Sequence, residues 1–145
     1  AVVTSRAAPG CIADLYPDRG PLGGIHAVLQ SRPAAGYLVV PVDMPLLSVA
    51  LLRGLIDAGR DHGHCYYRHS FLPCYLSGDP ALPERLAQRL RRGDLALGGF
   101  LRALRARALD GGDAAAFLNT NTPEAWRRAT ALDAAPHALC QEIGS

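Results

Sequence analysis

Lysine is absent from this chain. All fifteen basic residues among its 145 are arginine, so chemistry that needs a compact, phosphate-binding ammonium cannot be supplied by these residues alone. The Arg usage, beside abundant Ala, Leu, Gly and Pro, reads as the coding habit of a GC-rich genome. A net charge of +2 is too weak to indicate nucleic acid as a partner. No apolar run approaches the ~20 residues of a membrane span, and the first residues do not resemble a signal peptide. The expectation is a soluble, cytoplasmic protein with no membrane contact. The four Cys, at positions 11, 65, 74 and 140, form no C-x-x-C pair, and His64 stands beside Cys65. They read as reduced, mostly buried small residues. Repeats and low-complexity tracts are missing as well.

What the chain does contain is enough apolar sequence, 49% of its residues, for one compact domain spanning 1–145. Strand-like and helical pieces alternate, which predicts an α/β fold with a mostly parallel sheet and crossover helices. Short strands are expected at 2–4 and 11–13. A helix follows at 22–30, with Ile25, Val28 and Leu29 facing inward. After the run Tyr37-Leu38-Val39-Val40, a second helix is expected over 46–58, its apolar side formed by Leu47, Leu51, Leu52, Leu55 and Ile56, with Gly59 as its stop. Residues 64–67 and 72–76 read as a pair of strands joined at Arg68-His69-Ser70, antiparallel beside the main sheet. Helices are predicted over 83–92, closed by Gly93, and over 96–108. Leu86 and Leu90 face inward on the first, and Phe100, Leu101 and Leu104 on the second. The Arg on their other sides, at 85, 89, 92, 102, 105 and 107, read as solvated surface. Phe117-Leu118 resembles a last short strand, ahead of a helix capped by Thr122 that carries Pro123 and Trp126.

Three segments carry chemistry. In the first, Pro41-Val42-Asp43-Met44-Pro45, a carboxylate stands at the carboxyl end of an apolar strand and is stiffened by Pro on both sides. Ligands of open α/β sheets collect there, and an anionic side chain in that place can hold a divalent ion against nucleotide phosphates. The alternative is that Asp43 caps a helix beginning near Met44. The second segment, Asp18-Arg19-Gly20-Pro21-Leu22-Gly23-Gly24-Ile25, places glycines before a helix. A backbone can there approach a ligand and unsatisfied N–H groups can meet an anion. Its alternative is an ordinary turn that lets the helix pack tightly. In the third, Asn119-Thr120-Asn121-Thr122-Pro123, two side-chain amides could hold a polar heterocycle or a phosphate, and a plain helix start is the competing reading.

Taken in order, Asp14, then Gly-Pro-Leu-Gly-Gly-Ile, Pro-Val-Asp-Met-Pro and Asn-Thr-Asn-Thr-Pro resemble the molybdenum cofactor guanylyltransferase family, also called molybdopterin-guanine dinucleotide biosynthesis protein A. The resemblance covers nearly the whole chain. It implies a Rossmann-like nucleotidyltransferase fold with a three-layer, mostly parallel sheet, and transfer of GMP from GTP to molybdopterin with Mg²⁺ and release of pyrophosphate. By the same resemblance, Asp43 is the catalytic, metal-binding carboxylate. Asp14 together with Gly20, Pro21, Leu22, Gly23 and Gly24 contacts the nucleotide, and Asn119 and Asn121 belong to the pterin side. GTP and molybdopterin are then the substrates, with a homodimer or contact with molybdoenzymes as further partners.

The chain departs from that family's pattern in one respect. The family opens on a strand and a Leu-Ala-Gly-Gly loop followed by Arg-Met-Gly and Asp-Lys, and no such stretch occurs here. That loop would supply backbone donors and a Lys to the triphosphate, so the chain reads as N-terminally truncated relative to the family and is expected to be inactive alone. Other readings stay open: a cytidylyltransferase of the same pathway, a non-catalytic nucleotide- or cofactor-binding partner in molybdoenzyme maturation, or a sugar-phosphate nucleotidyltransferase. The last leaves the Asn-Thr-Asn-Thr-Pro segment without a role.

Overall fold

The computed structural model describes Ile12, Ala13, Leu15, Tyr16, residues 18–118, Glu124 and Arg127. Contacts divide them into two compact units. One combines the residues up to Tyr37 with Ser77–Arg105, and the other combines Leu38–Leu76 with the residues from Ala106 onward.

The first unit is helical. Its helix α1 (Gly20–Ser31) has Pro21 in its first turn, where the fixed φ suits a helix and the missing N–H would have had no partner anyway. Leu22, Ile25, Ala27 and Leu29 are buried along it, together with Gly23 and His26. Val28, expected inward, is only half-buried. Residues 20–24 therefore form the opening of α1 itself and not a loop before it, which corrects the expected start at Leu22. The chain bearing Pro80 is tied back by Gly78 N–H, which donates to Ala35 O at 2.9 Å.

Two more helices of this unit were expected in outline. To place them in chain order, α2 is Val49–His62 of the second unit, and α3 (Leu82–Arg91) and α4 (Leu97–Ala103) belong to the first. Leu82, Leu86 and Leu90 recur every fourth residue on α3 and are buried, and α3 packs on α1. Arg85 and Arg92 are exposed as expected, whereas Arg89 is largely covered and ion-paired with Asp94 at 2.5 Å. On α4, Leu97, Phe100 and Leu101 are buried. This helix stops well short of 108. Arg105 takes φ +55, which ends the helical path, and Arg107 N–H then donates to His64 O at 2.8 Å, so the tail of the expected helix becomes a strand.

The described strands, which apart from Gly36, Tyr37 and Ser77 belong to the second unit, are β1 (Gly36–Val39), β2 (Cys65–Tyr67), β3 (Ser70–Ser77) and β4 (Arg107–Leu109), in the order β1-β3-β2-β4. β2 runs antiparallel to β3, with Cys65 opposite Tyr75 and Tyr66 opposite Cys74, and parallel to β4. The hairpin expected beside the sheet thus lies within a mixed one. Leu55, Cys65, Tyr67, Tyr75 and Phe117 form the core, with Leu38, Leu47, Leu51 and Ile56 packed against it.

α2 begins later and ends later than its sequence pattern suggested. Ser48 is its cap, the hydroxyl accepting from Leu51 N–H at 3.3 Å. Gly59 lies inside it, and Gly63, at φ +83, closes it with an N–H donated to Gly59 O at 2.8 Å. Phe117-Leu118 is not a strand: residues Ala114–Phe117 form one turn of 3-10 helix, held by Asp113, whose carboxylate accepts from Ala115 N–H at 3.3 Å. The expected strand at 2–4 and the Thr122 cap lie outside the described residues. Of the expected strand at 11–13, Ile12 is a single bridge residue. Glu124 and Arg127 are helical and paired at 3.1 Å. No helix among the described residues is long and apolar enough to cross a membrane.

Candidate active site

Four half-buried residues, Gly-Tyr-Leu-Val, make up β1, and the chain then turns at Val42 and Asp43. Asp43 is half-buried, while the neighbouring Val42 is 97% exposed. Since Ser48 caps α2, Asp43 does not, and the capping alternative for this carboxylate is withdrawn. The turn is fastened on its far side by Leu47 and Leu51, which pack against the core, and by Leu47 N–H donating to Met44 O at 3.3 Å.

Elsewhere in the same unit the carboxyl ends of β2 and β4 lie side by side, where Tyr67 pairs with Leu109. Beyond Tyr67 the chain turns at Arg68 and His69. Past Leu109 it runs through Asp110, Gly111 and Gly112 to the 3-10 turn. Arg68 is bound twice over, its N–H to Leu109 O at 2.9 Å and its Nε to Asp110 Oδ1 at 2.7 Å. That guanidinium, by hydrogen bond first and by charge second, holds the Asp110 carboxyl below its usual range. Both groups are well exposed, so the pair fixes geometry more than it adds stability. Gly112, at φ +71, is a place for glycine on two grounds. The backbone is left-handed there, and a Cβ would come within 3.0 Å of Leu51 Cδ2 and 3.1 Å of Phe117 Cε2.

One hydrogen bond links this end of the sheet to the helix that follows Asp43. Tyr67 Oη donates to Leu51 O at 2.7 Å, tying the end of β2 to the first turn of α2 just beyond the Asp43 segment. Phe117, 8% exposed, packs on Tyr67 with ring centroids 5.4 Å apart, and His69 stacks on Phe117 at 5.7 Å with 29° between the planes. Phe117 is buried as anticipated and Leu118 is half-buried. Sequence reasoning passed over His69 as part of a polar turn. Its role is invisible in the linear chain because its ring partner belongs to a different, distant segment.

Of the other predicted site residues, Gly20, Pro21, Leu22, Gly23 and Gly24 open α1 in the first unit. No side chain caps that helix end, and no acidic residue stands in its first turn to offset its positive dipole. Leu22 and Gly23 are buried, so packing, the alternative weighed for this segment, accounts for at least these two. Asp14, Asn119 and Asn121 lie outside the described residues. The first unit also has a groove of about 450 Å³ beside Tyr16, His26, Glu84 and Arg91, and none of the described predicted site residues lines it.

As for metals, the described residues contain no cluster of three or more His, Cys, Asp or Glu. A divalent ion that takes most of its ligands from phosphates and water needs only one or two protein carboxylates. A single Asp at a strand end fits Mg²⁺ in that mode and does not fit a metal caged entirely by protein. Cys65 and Cys74 are buried free thiols on opposite faces of the sheet, pushed up to about 11 and about 12 chiefly by burial, and are not thiolate ligands.

An α/β fold with a carboxylate in the turn after an apolar strand is compatible with the nucleotide-handling class. Comparison with known proteins narrows it: residues 3–131 match the MobA-like NTP transferase domain, and the chain belongs to that family. It is 39% identical over 124 residues to the molybdenum cofactor guanylyltransferase of Xanthomonas euvesicatoria pv. vesicatoria (strain 85-10), covering 81% of this chain and 64% of that relative. A shorter match, 44% identical over 46 residues, is to a protein of Flavobacterium johnsoniae named probable molybdenum cofactor guanylyltransferase, and covers 32% of this chain and 24% of that one. The chain thus spans less than two thirds of the length of either relative.

Proposed function

We propose that this chain acts in molybdenum cofactor biosynthesis, in the transfer of GMP from GTP to molybdopterin. In that reaction a phosphate oxygen of molybdopterin forms a bond to the α-phosphorus of GTP, the bond to the β-phosphate breaks, and pyrophosphate leaves. The observation that carries the reading is Asp43. It is a half-buried carboxylate in the turn just past an apolar strand, in a chain similar to a guanylyltransferase over most of its length. Asp43 would hold Mg²⁺, which when bound neutralises charge on the phosphates as it develops. Asp14 and the opening of α1 at residues 20–24 would meet the nucleotide, and Asn119 and Asn121 the pterin. A cytoplasmic location suits both substrates, and a homodimer or contact with molybdoenzymes would follow from delivery of the product.

The absence of Lys bears on rate. Removing one preorganised charge-stabilising donor typically slows chemistry by about a hundred- to a thousandfold, so these 145 residues alone are expected to bind Mg-GTP with little or no transfer. The test is calorimetric titration of Mg²⁺ and GTP into the wild type and Asp43→Asn, which removes charge and keeps shape. Mg²⁺-dependent GTP binding should weaken strongly in the variant with little change in stability. Equal binding by the two forms would refute the assignment of Asp43, and tighter binding of CTP than of GTP would redirect the reading to a cytidylyltransferase.

A further inference from the structure

The rings of Tyr67, Phe117 and His69 form a column from the core to the surface, bent where Tyr67 and Phe117 meet at 52° between their planes. Tyr67, 4% exposed, is pinned by its hydroxyl to Leu51 O at 2.7 Å. Phe117 lies on it at 5.4 Å, and His69 lies on Phe117 at 5.7 Å, close to parallel. His69 is exposed. Its imidazole meets Phe117 on one side, and the residue follows β2 at the end where β2 and β4 pair in parallel.

We infer that the outer face of His69 is a stacking platform for the fused heterocycle of a substrate. The inference rests on the proposed function for the identity of that substrate. A phosphate would find little here, because the neighbouring cation, Arg68, is already held by Asp110 through Nε at 2.7 Å and a second guanidinium nitrogen at 3.4 Å. What remains is a flat, polarisable ring whose tilt is fixed from beneath by a buried Phe. A flat π-system is the natural next layer of such a column. Guanine and pterin share the relevant chemistry, since both are planar, bicyclic amino-lactams. His69 would act by contact with the substrate ring, and Phe117 and Tyr67 would act as positioning residues through it.

The test uses the 145-residue chain, with ¹H–¹³C spectra of its His rings recorded during titration with Mg-GTP, GMP, neopterin and, as a ring-free control, ribose 5-phosphate. His69→Ala assigns the signals. One heterocycle should move the His69 ring protons upfield while ribose 5-phosphate does not, and whether GMP or neopterin does so identifies the source. His69→Ala should weaken that ligand about tenfold, a typical loss for removing one aromatic stacking partner. His69→Phe, which keeps a flat ring, should bind within about twofold of the wild type. If a heterocycle binds the wild type and His69→Ala equally and leaves the ring signals unmoved, the platform is refuted and the proposed function stands. A His69→Phe protein that binds as weakly as His69→Ala also refutes stacking. Failure of every guanine and pterin ligand to bind the wild type would overturn the proposed function and the platform with it.

Discussion

Gly59 sits inside α2, buried, where the helix crosses the ring of Tyr75. A Cβ built on it would lie 2.6 Å from Tyr75 Cε1 and closer still to Cγ and Cδ1, against a usual carbon–carbon contact of about 3.5–4.0 Å. Gly59→Ala therefore sets two terms against each other. Replacing Gly by Ala in a helix interior favours folding by about 1 kcal/mol. Overpacking a filled core typically costs about 1–3 kcal/mol, and here the clash involves the base of the ring as well as its edge. Tyr75 is 9% exposed and is set by β-ladder pairing opposite Cys65, so neither ring nor strand can yield freely. Overpacking should win, and the net expectation is a loss of about 1–2 kcal/mol, at the top of the overpacking range less the propensity gain.

Gly54→Ala on the same helix is the control. Its Cβ would meet only Tyr67 Oη, at 2.8 Å, the far end of a side chain, so it should be near neutral with at most the Tyr67–Leu51 hydrogen bond disturbed. Urea unfolding of the three proteins, monitored by helix content, decides the matter. A Gly59→Ala protein at least as stable as the wild type, or a Gly54→Ala protein as damaged as Gly59→Ala, would refute this packing account.

Ser48→Ala removes the hydroxyl cap of α2 and should cost about 1 kcal/mol in the same unfolding assay; no measurable loss would return the cap, and Asp43 with it, to question. Tyr67→Phe leaves the ring column intact but removes the hydroxyl donor to Leu51 O, with an expected cost of about 1 kcal/mol. Gly78→Ala would drive a Cβ into backbone, within 2.8 Å of Ala35 C, and should be the most damaging glycine replacement of those considered, read as the largest shift in urea midpoint. Cys65 and Cys74 should resist iodoacetamide at pH 8 in the folded protein and react on unfolding. Unfolded thiols ionise near 9 while the buried ones are held up to about 11 and about 12. The unfolded state therefore loses protons first, so stability should be flat below about pH 8.5 and fall from about 9 towards 12. Cys65→Ala should flatten the early part of that fall.

Much of the helix content was legible because amphipathic spacing survives in a linear chain: Leu86 and Leu90, or Leu51 and Leu55, announce which side is buried. Endpoints were harder, because they depend on bonds to residues far along the sequence. Residues 96–108 carry one unbroken amphipathic pattern, yet Arg107 gains a strand bond from His64 and the helix ends early. Gly59 looked like a stop because glycine often is one, and only Tyr75 explains why it sits within a helix. The glycines at 20–24 suggested a loop for the same reason, although Pro21 favours the opening of a helix.

The candidate site shows the same division between local and distant information. Asp43 was legible, since an apolar run ending in Pro-Val-Asp-Met-Pro names its own strand end, but its role was not, because a cap and a metal ligand use the same side chain. The two readings made different structural demands. A cap at 43 required α2 to begin near Met44. The helix begins instead at Val49, and Ser48 supplies the acceptor that the first turn needs. The helix start is thus accounted for without the Asp43 carboxylate, which stays half-buried in a turn whose neighbour Val42 projects almost wholly into solvent. An apolar side chain left that bare gains nothing from the hydrophobic effect, and the Pro on either side could shape the turn with most residues between them. With α2 capped by Ser48 and Val42 contributing nothing to the core, the part played by the Asp43 carboxylate is read from what Asp43→Asn does to Mg²⁺-dependent GTP binding.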